Sequence, residues 1–258
     1  MATKVASKRT PVQRREESNA DQTFATRHQP VVSNALKIKL DHLKTFDALT
    51  ENQQIFFDAY RSGSYAFMLM GSPGTGKSFI SLYHALADVL TKDTPYKKVV
   101  IVRSSVSTRD SGFLPGSLDD KMSIYEEPYK QICADLFGRP DAYDRLKEQG
   151  YIEFLSTSYL RGTTFNDAII FFDEIQNANW SEMKTVIGRT GTRSKVILSG
   201  DYSQNDLTKS KHDQSGFREL HKVVTHMDEF DIINFTTDDI VRSSFTKNFI
   251  IACEEMDL

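Results

Sequence analysis

The run Gly71-Ser72-Pro73-Gly74-Thr75-Gly76-Lys77-Ser78 constrains this chain more than any other segment. It has the spacing G-x4-G-K-[ST], follows the apolar stretch 65–70, and opens a helical pattern at Gly76. Strand, glycine-rich turn and helix in that succession build a phosphate cradle. The glycines let the backbone curl so that successive N–H groups point inward, and the helix adds its positive end. On this reading Gly71, Ser72, Pro73, Gly74, Thr75 and Gly76 wrap the phosphates of a nucleotide. Lys77 bridges the β- and γ-phosphates, and the Ser78 hydroxyl ligates Mg²⁺.

The rest of the chain alternates in the same way. Short, almost continuously apolar runs over 65–70, 98–103, 152–156, 168–172, 195–199 and 230–235 predict strands covered on both faces. Helical patterns fall over 51–62, 76–91, 181–190, 215–226 and 243–255. Such alternation predicts an α/β fold, a mostly parallel sheet with helices on both faces. Residues 1–34 lack an apolar pattern and are expected to form a disordered basic tail, leaving 35–258 as a single domain. The stretch 104–150, punctuated by Gly112, Pro115, Gly116, Pro128, Gly138 and Pro140, breaks the rhythm. It is expected to be a helical or loop insertion, with a short helix over 118–122.

Three further blocks carry chemistry. The run Ile169-Ile170-Phe171-Phe172-Asp173-Glu174 is a buried strand ending in two acids. Asp173 suits the magnesium shell, and Glu174, turned elsewhere, suits the general base that activates water. The run 196–204 ends in Gly200-Asp201-Tyr202-Ser203-Gln204, where Gln204 suits sensing of a γ-phosphate or placement of water. Ahead of the first helix, Gln53 in Thr50-Glu51-Asn52-Gln53 has a donor and an acceptor that can read adenine. Thr50 or Asn52 can equally be that helix's N-cap.

Composition sets limits. The net charge is −3, so the chain is not globally basic, although Lys4, Lys8, Arg9, Arg14 and Arg15 precede the first acid. That run is either a solvated tail or an arm for phosphate backbones. Cys133 and Cys253 are the two cysteines, with no metal-ligand spacing, which fits a reducing cytoplasm. No apolar run is long enough to span a bilayer, and the start Met1-Ala2-Thr3-Lys4 is not a secretory signal, so no membrane partner is expected. A guanine-reading Asn-Lys-x-Asp is not found; Ser210-Lys211-His212-Asp213 follows a polar loop. A small-molecule kinase is the alternative, but paired acids suit water better than a bound alcohol.

These blocks, in their order and spacing, resemble the PhoH-like family of P-loop ATPases and, more distantly, the RecA-like core of superfamily 1 helicases. The resemblance runs through Thr50, Asn52-Gln53, the glycine loop, Val102-Arg103 and Gly112-Phe113-Leu114-Pro115-Gly116 with Lys121-Met122. It continues through Leu160-Arg161-Gly162, Thr164-Phe165-Asn166, Asp173-Glu174-x-Gln176-Asn177, Gly200-Asp201-x-Ser203-Gln204 and Asp239-Ile240-Val241-Arg242. Two departures stand out: Thr163 where relatives carry arginine, and Ser243-Ser244 where they carry His-Pro. The short chain resembles members carried by bacteriophages. The resemblance implies ATP as nucleotide, Mg²⁺ as cofactor, and hydrolysis coupled to single-stranded RNA or DNA. A helicase core also needs an arginine on the γ-phosphate, and with one core only a homo-oligomer is expected, a ring such as a hexamer, in which each subunit supplies it to a neighbour. Arg242 is the first candidate, with Arg189 or Arg161 in reserve, and whether it acts within its own chain or across subunits is left open by the sequence. Surface salt bridging is the plainer role for those arginines. Arg103, Arg109, Phe113, Lys121, Tyr125, Tyr129 and Lys130 mix cations and aromatics as a single-strand site would, though Asp110, Asp119, Asp120, Glu126 and Glu127 lie among them.

Overall fold

The computed structural model describes residues 26–28, 37–104, 118–160, 162–201 and 216–256. A small antiparallel pair, β1 (Thr26–His28) and β2 (Thr45–Phe46), precedes α1 (Glu51–Arg61). Then follow β3 (Ala66–Gly71), α2 (Lys77–Leu90), β4 (Lys98–Arg103), α3 (Leu118–Phe137) and α4 (Ala142–Glu148). The chain continues through β5 (Ile152–Ser156), β6 (Ala168–Asp173), α5 (Trp180–Ile187), β7 (Lys195–Gly200), α6 (Phe217–Val224), β8 (Phe230–Phe235) and α7 (Ser244–Glu255).

The six strands from β3 to β8 form one sheet in the order β5-β4-β6-β7-β3-β8, and each neighbouring pair is parallel. Alternation along each strand divides the core into two layers. Phe67, Leu69, Val99, Ile101, Ile169 and Phe171 pack with Phe56, Ile80 and Tyr129 on one face. Met68, Val100, Val102, Ile170, Phe172 and Leu198 pack with Met183, Val186, Phe217 and Leu220 on the other. This is the expected α/β fold, a parallel sheet with helices on both faces. Because all strands run one way, the ends of β3, β4, β6, β7 and β8 share one edge, where doubly wound sheets bind ligands.

Two segments differ from the sequence reading. Residues 26–28, expected to be disordered, pair with β2. The helix expected over 118–122 runs to Phe137. Pro128 suggests a stop, because it supplies no N–H to the helical ladder. Burial of Tyr129, Cys133 and Phe137, four residues apart, carries the helix past it.

Far from the ligand edge, Lys195 is buried at the start of β7. Its Nζ lies 3.4 Å from the centroid of the Tyr60 ring and 3.6 Å from Asp88 Oδ2, which compensates its lost hydration. His84 stacks on Tyr60 at 4.8 Å and meets Phe57 edge-on at 4.3 Å. Burial, helped by the Arg61 and Lys195 charges, pushes the His84 imidazole down to about 3 from 6.5. The fold therefore holds it neutral, while the unfolded chain takes up a proton below the higher value. Stability attributable to His84 is present above pH 6.5 and is lost as pH falls toward 3. The loss approaches about 1.4 kcal/mol per pH unit. Urea unfolding between about pH 6.5 and 4.5 should show a shallower pH slope for His84→Phe than for the parent.

Candidate active site

The phosphate loop is shaped by three glycines with left-handed backbone: Gly71 at φ +129°, Gly74 at +77° and Gly76 at +83°. A Cβ on Gly71 would lie 1.8 Å from the Phe235 carbonyl oxygen of β8, so no other residue fits there. Gly76 is the N-cap of α2 and offers no side-chain acceptor to the first turn. Those N–H groups remain for an anion, as a phosphate site requires. Lys77 is nine-tenths buried, and its Nζ donates to the carbonyls of Gly71 at 2.7 Å and Ser72 at 2.8 Å and to Thr75 Oγ1 at 3.2 Å. Burial lowers its ammonium from the ordinary value, opposed by the charges of Asp201, Asp173 and Glu174.

The two acids at the end of β6 face different partners. Asp173, 5% exposed, accepts from Ser78 Oγ at 3.2 Å on Oδ1 and 3.0 Å on Oδ2. Its Oδ2 also accepts from the Tyr129 hydroxyl at 3.1 Å. Glu174 adopts φ +53°, ψ +45°, a strained conformation for a residue with a Cβ. Its Oε2 accepts from Gln176 Nε2 at 2.5 Å. Burial, then the adjacent Asp173 charge, raises the Glu174 carboxyl above its usual range, against the pull of Arg103, Gln176 and Lys77. Arg103 lies in register with Asp173 on the neighbouring strand.

The cleft that joins these groups has a volume of about 790 Å³ and includes Lys77, Ser78, Arg103, Asp173, Glu174, Asp201 and Arg242 in its walls. Among the described residues no three His, Cys, Asp or Glu cluster as a metal cage. A hydroxyl and a carboxylate converging on one point fit Mg²⁺, which takes few protein oxygens and completes its shell with water and phosphate. Ser78 and Asp173 are the residues that would hold it.

The likeness to known proteins extends over most of the sequence. Residues 45–254 match the protein family described as PhoH-like protein. This chain belongs to the PhoH-like family. A PhoH-like protein of Mycobacterium leprae is 32% identical over 223 residues, covering 86% of this chain and 62% of that protein. One from Bacillus subtilis is 32% identical over 215 residues, covering 83% and 66%. The chain thus spans about six-tenths of the length of the curated relatives it matches. The large terminase of a thermophilic bacteriophage, solved in complex with ADP, superposes with a TM-score of 0.43 at 13% identity, covering 74% of this chain and 46% of that one.

The loop residues 71–78, Asp173 and Glu174 come together as the sequence motifs require. Gln204 and Arg161 lie outside the described residues, as do Arg109 and Phe113. Gln53 requires a correction. It is fully buried and does not border the cleft: Oε1 accepts from the Leu49 N–H at 2.9 Å, and Nε2 donates to the Thr75 carbonyl at 2.9 Å. Both amide atoms brace the loop, and full burial leaves the side chain no face toward the cleft. Thr50 caps α1 by accepting from the Gln53 N–H, and Asn52 Nδ2 donates to Asp239 Oδ2 at 2.7 Å.

Arg242 lies at the cleft. Its side chain borders the cleft of its own chain, with Cγ 2.9 Å from where a Cβ on Gly74 would stand, and Val241 N–H donates to the Gly74 carbonyl at 3.0 Å. Arg189 donates to the Thr163 carbonyl at 2.8 Å. The expected stacking surface is also redistributed. Tyr129 is fully buried, Arg103 lies 5.8 Å from the Tyr125 ring centroid, and Lys130 pairs with Glu127 at 3.8 Å. The sequence reading misses Gln176 as a bridge: besides holding Glu174, its Oε1 accepts from the Asp201 N–H at 3.1 Å.

Gln53→Ala should strip partners from two buried backbone groups and cost about 2–3 kcal/mol of stability. Its preference among adenine and guanine nucleotides should match the parent's in competition binding; a lost preference would restore the base-reading role.

Proposed function

We propose that this chain is a Mg²⁺-dependent ATPase that directs water onto the γ-phosphate. The convergence of Ser78 and Asp173, with Glu174 turned onto a separate set of partners, is the observation that carries the reading. Mg²⁺, when held by Ser78 and Asp173, would offset charge on the phosphate oxygens. Lys77 sits where its ammonium can leave the loop carbonyls for β- and γ-phosphate oxygens. Arg242 supplies a second cation from the chain's own α7 side of the cleft. Glu174, beside the metal acid but not sharing its partners, accepts the proton of the attacking water. Gln176 ties that base to the tip of β7, from which Gln204 is assigned to the γ-phosphate or the water.

The proposal extends to coupling with single-stranded RNA or DNA, and to a self-associated ring working in the cytoplasm. Its supports are the likeness of the motif set to a helicase core and the basic run from Lys4 to Arg15. Among the described residues no helix is long and apolar enough to cross a membrane.

Phosphate release from ATP should fall about a hundred- to ten-thousandfold in Glu174→Gln, while the variant still binds nucleotide. Lys77→Ala should lose nucleotide affinity itself. Arg242→Ala should cut turnover about a thousandfold with the protein alone in dilute solution, as a cation in its own site requires. Parent-like turnover in Glu174→Gln would remove the reading. Single strands should stimulate release, and the stimulation should fade between about 50 mM and 200 mM salt.

A further inference from the structure

We propose that Tyr129 is a positioning residue that orients Asp173 for the metal and thereby connects the α3 segment to nucleotide binding. The inference rests on the ATPase reading above and concerns a residue that touches neither nucleotide nor metal ligands other than Asp173.

Three observations converge on it. Tyr129 is fully buried, yet its hydroxyl reaches Asp173 Oδ2 at 3.1 Å from α3, a helix that borders the same cleft as the phosphate loop. The ring is fixed by apolar neighbours, with Phe154 at 5.9 Å and Phe171 edge-on at 6.3 Å between centroids, so the hydroxyl has little freedom to turn away. Pro128 immediately before it removes one rung of the helical ladder and also borders the cleft.

Asp173 has two hydroxyl donors, and they differ in what metal binding asks of them. Ser78 would give a lone pair to Mg²⁺ while its proton can stay on Asp173, so its placement would answer to the metal as well as to the carboxylate. Tyr129 has no such competing duty. It holds Oδ2, which Ser78 also approaches at 3.0 Å, and leaves Oδ1 to the Ser78 hydroxyl at 3.2 Å. Outer partners of this kind set ligand orientation and typically change metal affinity by about ten- to a hundredfold when removed. Since α3 also carries Gln131, Ile132 and Asp135 into the cleft wall, a displacement of this helix would alter the metal acid directly.

The test is Tyr129→Phe, which removes one oxygen and preserves the packed ring. Binding of a fluorescent ATP analogue is measured in excess chelator and across a Mg²⁺ titration, alongside thermal melting in chelator. The parent should bind more tightly with Mg²⁺ than without it. In Tyr129→Phe, affinity in chelator should stay within about twofold of the parent, and the Mg²⁺ concentration giving half of the tightening should rise about tenfold. A parent-like half-point in Tyr129→Phe would overturn the positioning role, even if its melting temperature dropped, because that result describes a packing residue. A parent that gains nothing from Mg²⁺ would overturn the ATPase reading itself and this inference with it. Should Tyr129→Phe melt too early to measure, Pro128→Ala is the second variant: restoring the ladder rung shifts Tyr129 relative to Asp173, and an unchanged half-point there would again remove the proposal.

Discussion

The hydroxyl of Ser78 and the carboxylate of Asp173 meet across the tip of β7, and most of the architecture can be understood as what holds them there. Ser78 is in the first turn of α2, whose start is fixed by the glycine loop after β3. Asp173 ends β6, two strands away in the sheet. A parallel sheet brings both strand ends to one edge, and the intervening β7 delivers Asp201 between them. Gly71 sets the depth of the loop, because the Phe235 carbonyl occupies the space that any side chain would need. The site is therefore a property of strand order as much as of motif.

Around that pair lies a set of braces built from side-chain amides, backbone groups and one carboxylate. Gln53 spans Leu49 and Thr75, Asn52 reaches Asp239, and Val241 returns a hydrogen bond to Gly74. Burial alone would raise the Asp239 carboxyl, but hydrogen bonds from Thr236, Thr50 and Asn52 leave it below the ordinary range. The segment that carries Arg242 is thus tied to the loop from two sides. Gln176 does the same for the base, joining Glu174 to Asp201. Buried amides suit this work: each supplies a donor and an acceptor without the desolvation cost of a charge.

The parts legible in the sequence are the parts whose meaning is local. Glycine spacing, a strand ending in two acids, and the alternation of strands and helices each declare themselves within a short window, and the sheet and the loop follow from them. Gln53 is misread because an amide near a nucleotide site looks alike whether it faces a base or a carbonyl; only the packing of α1 against the loop decides. The closeness of Arg242 to the loop of its own chain is not legible, because nothing in a linear sequence says that the segment before α7 folds back over Gly74. The length of α3 is hidden by Pro128, although Tyr129, Cys133 and Phe137 at four-residue spacing already mark a buried helical face. Tyr129 itself reads as a stacking aromatic; its partner is 44 positions away in the chain, and no local rule pairs them.

The central claim is that this site delivers water, and not another acceptor, to the γ-phosphorus. The most direct measurement is turnover of ATP in heavy-oxygen water, with mass analysis of the phosphate released in a single passage. The account predicts that each released phosphate carries one oxygen from the solvent. Release of phosphate without solvent oxygen, or recovery of the phosphoryl group on another molecule, would contradict it.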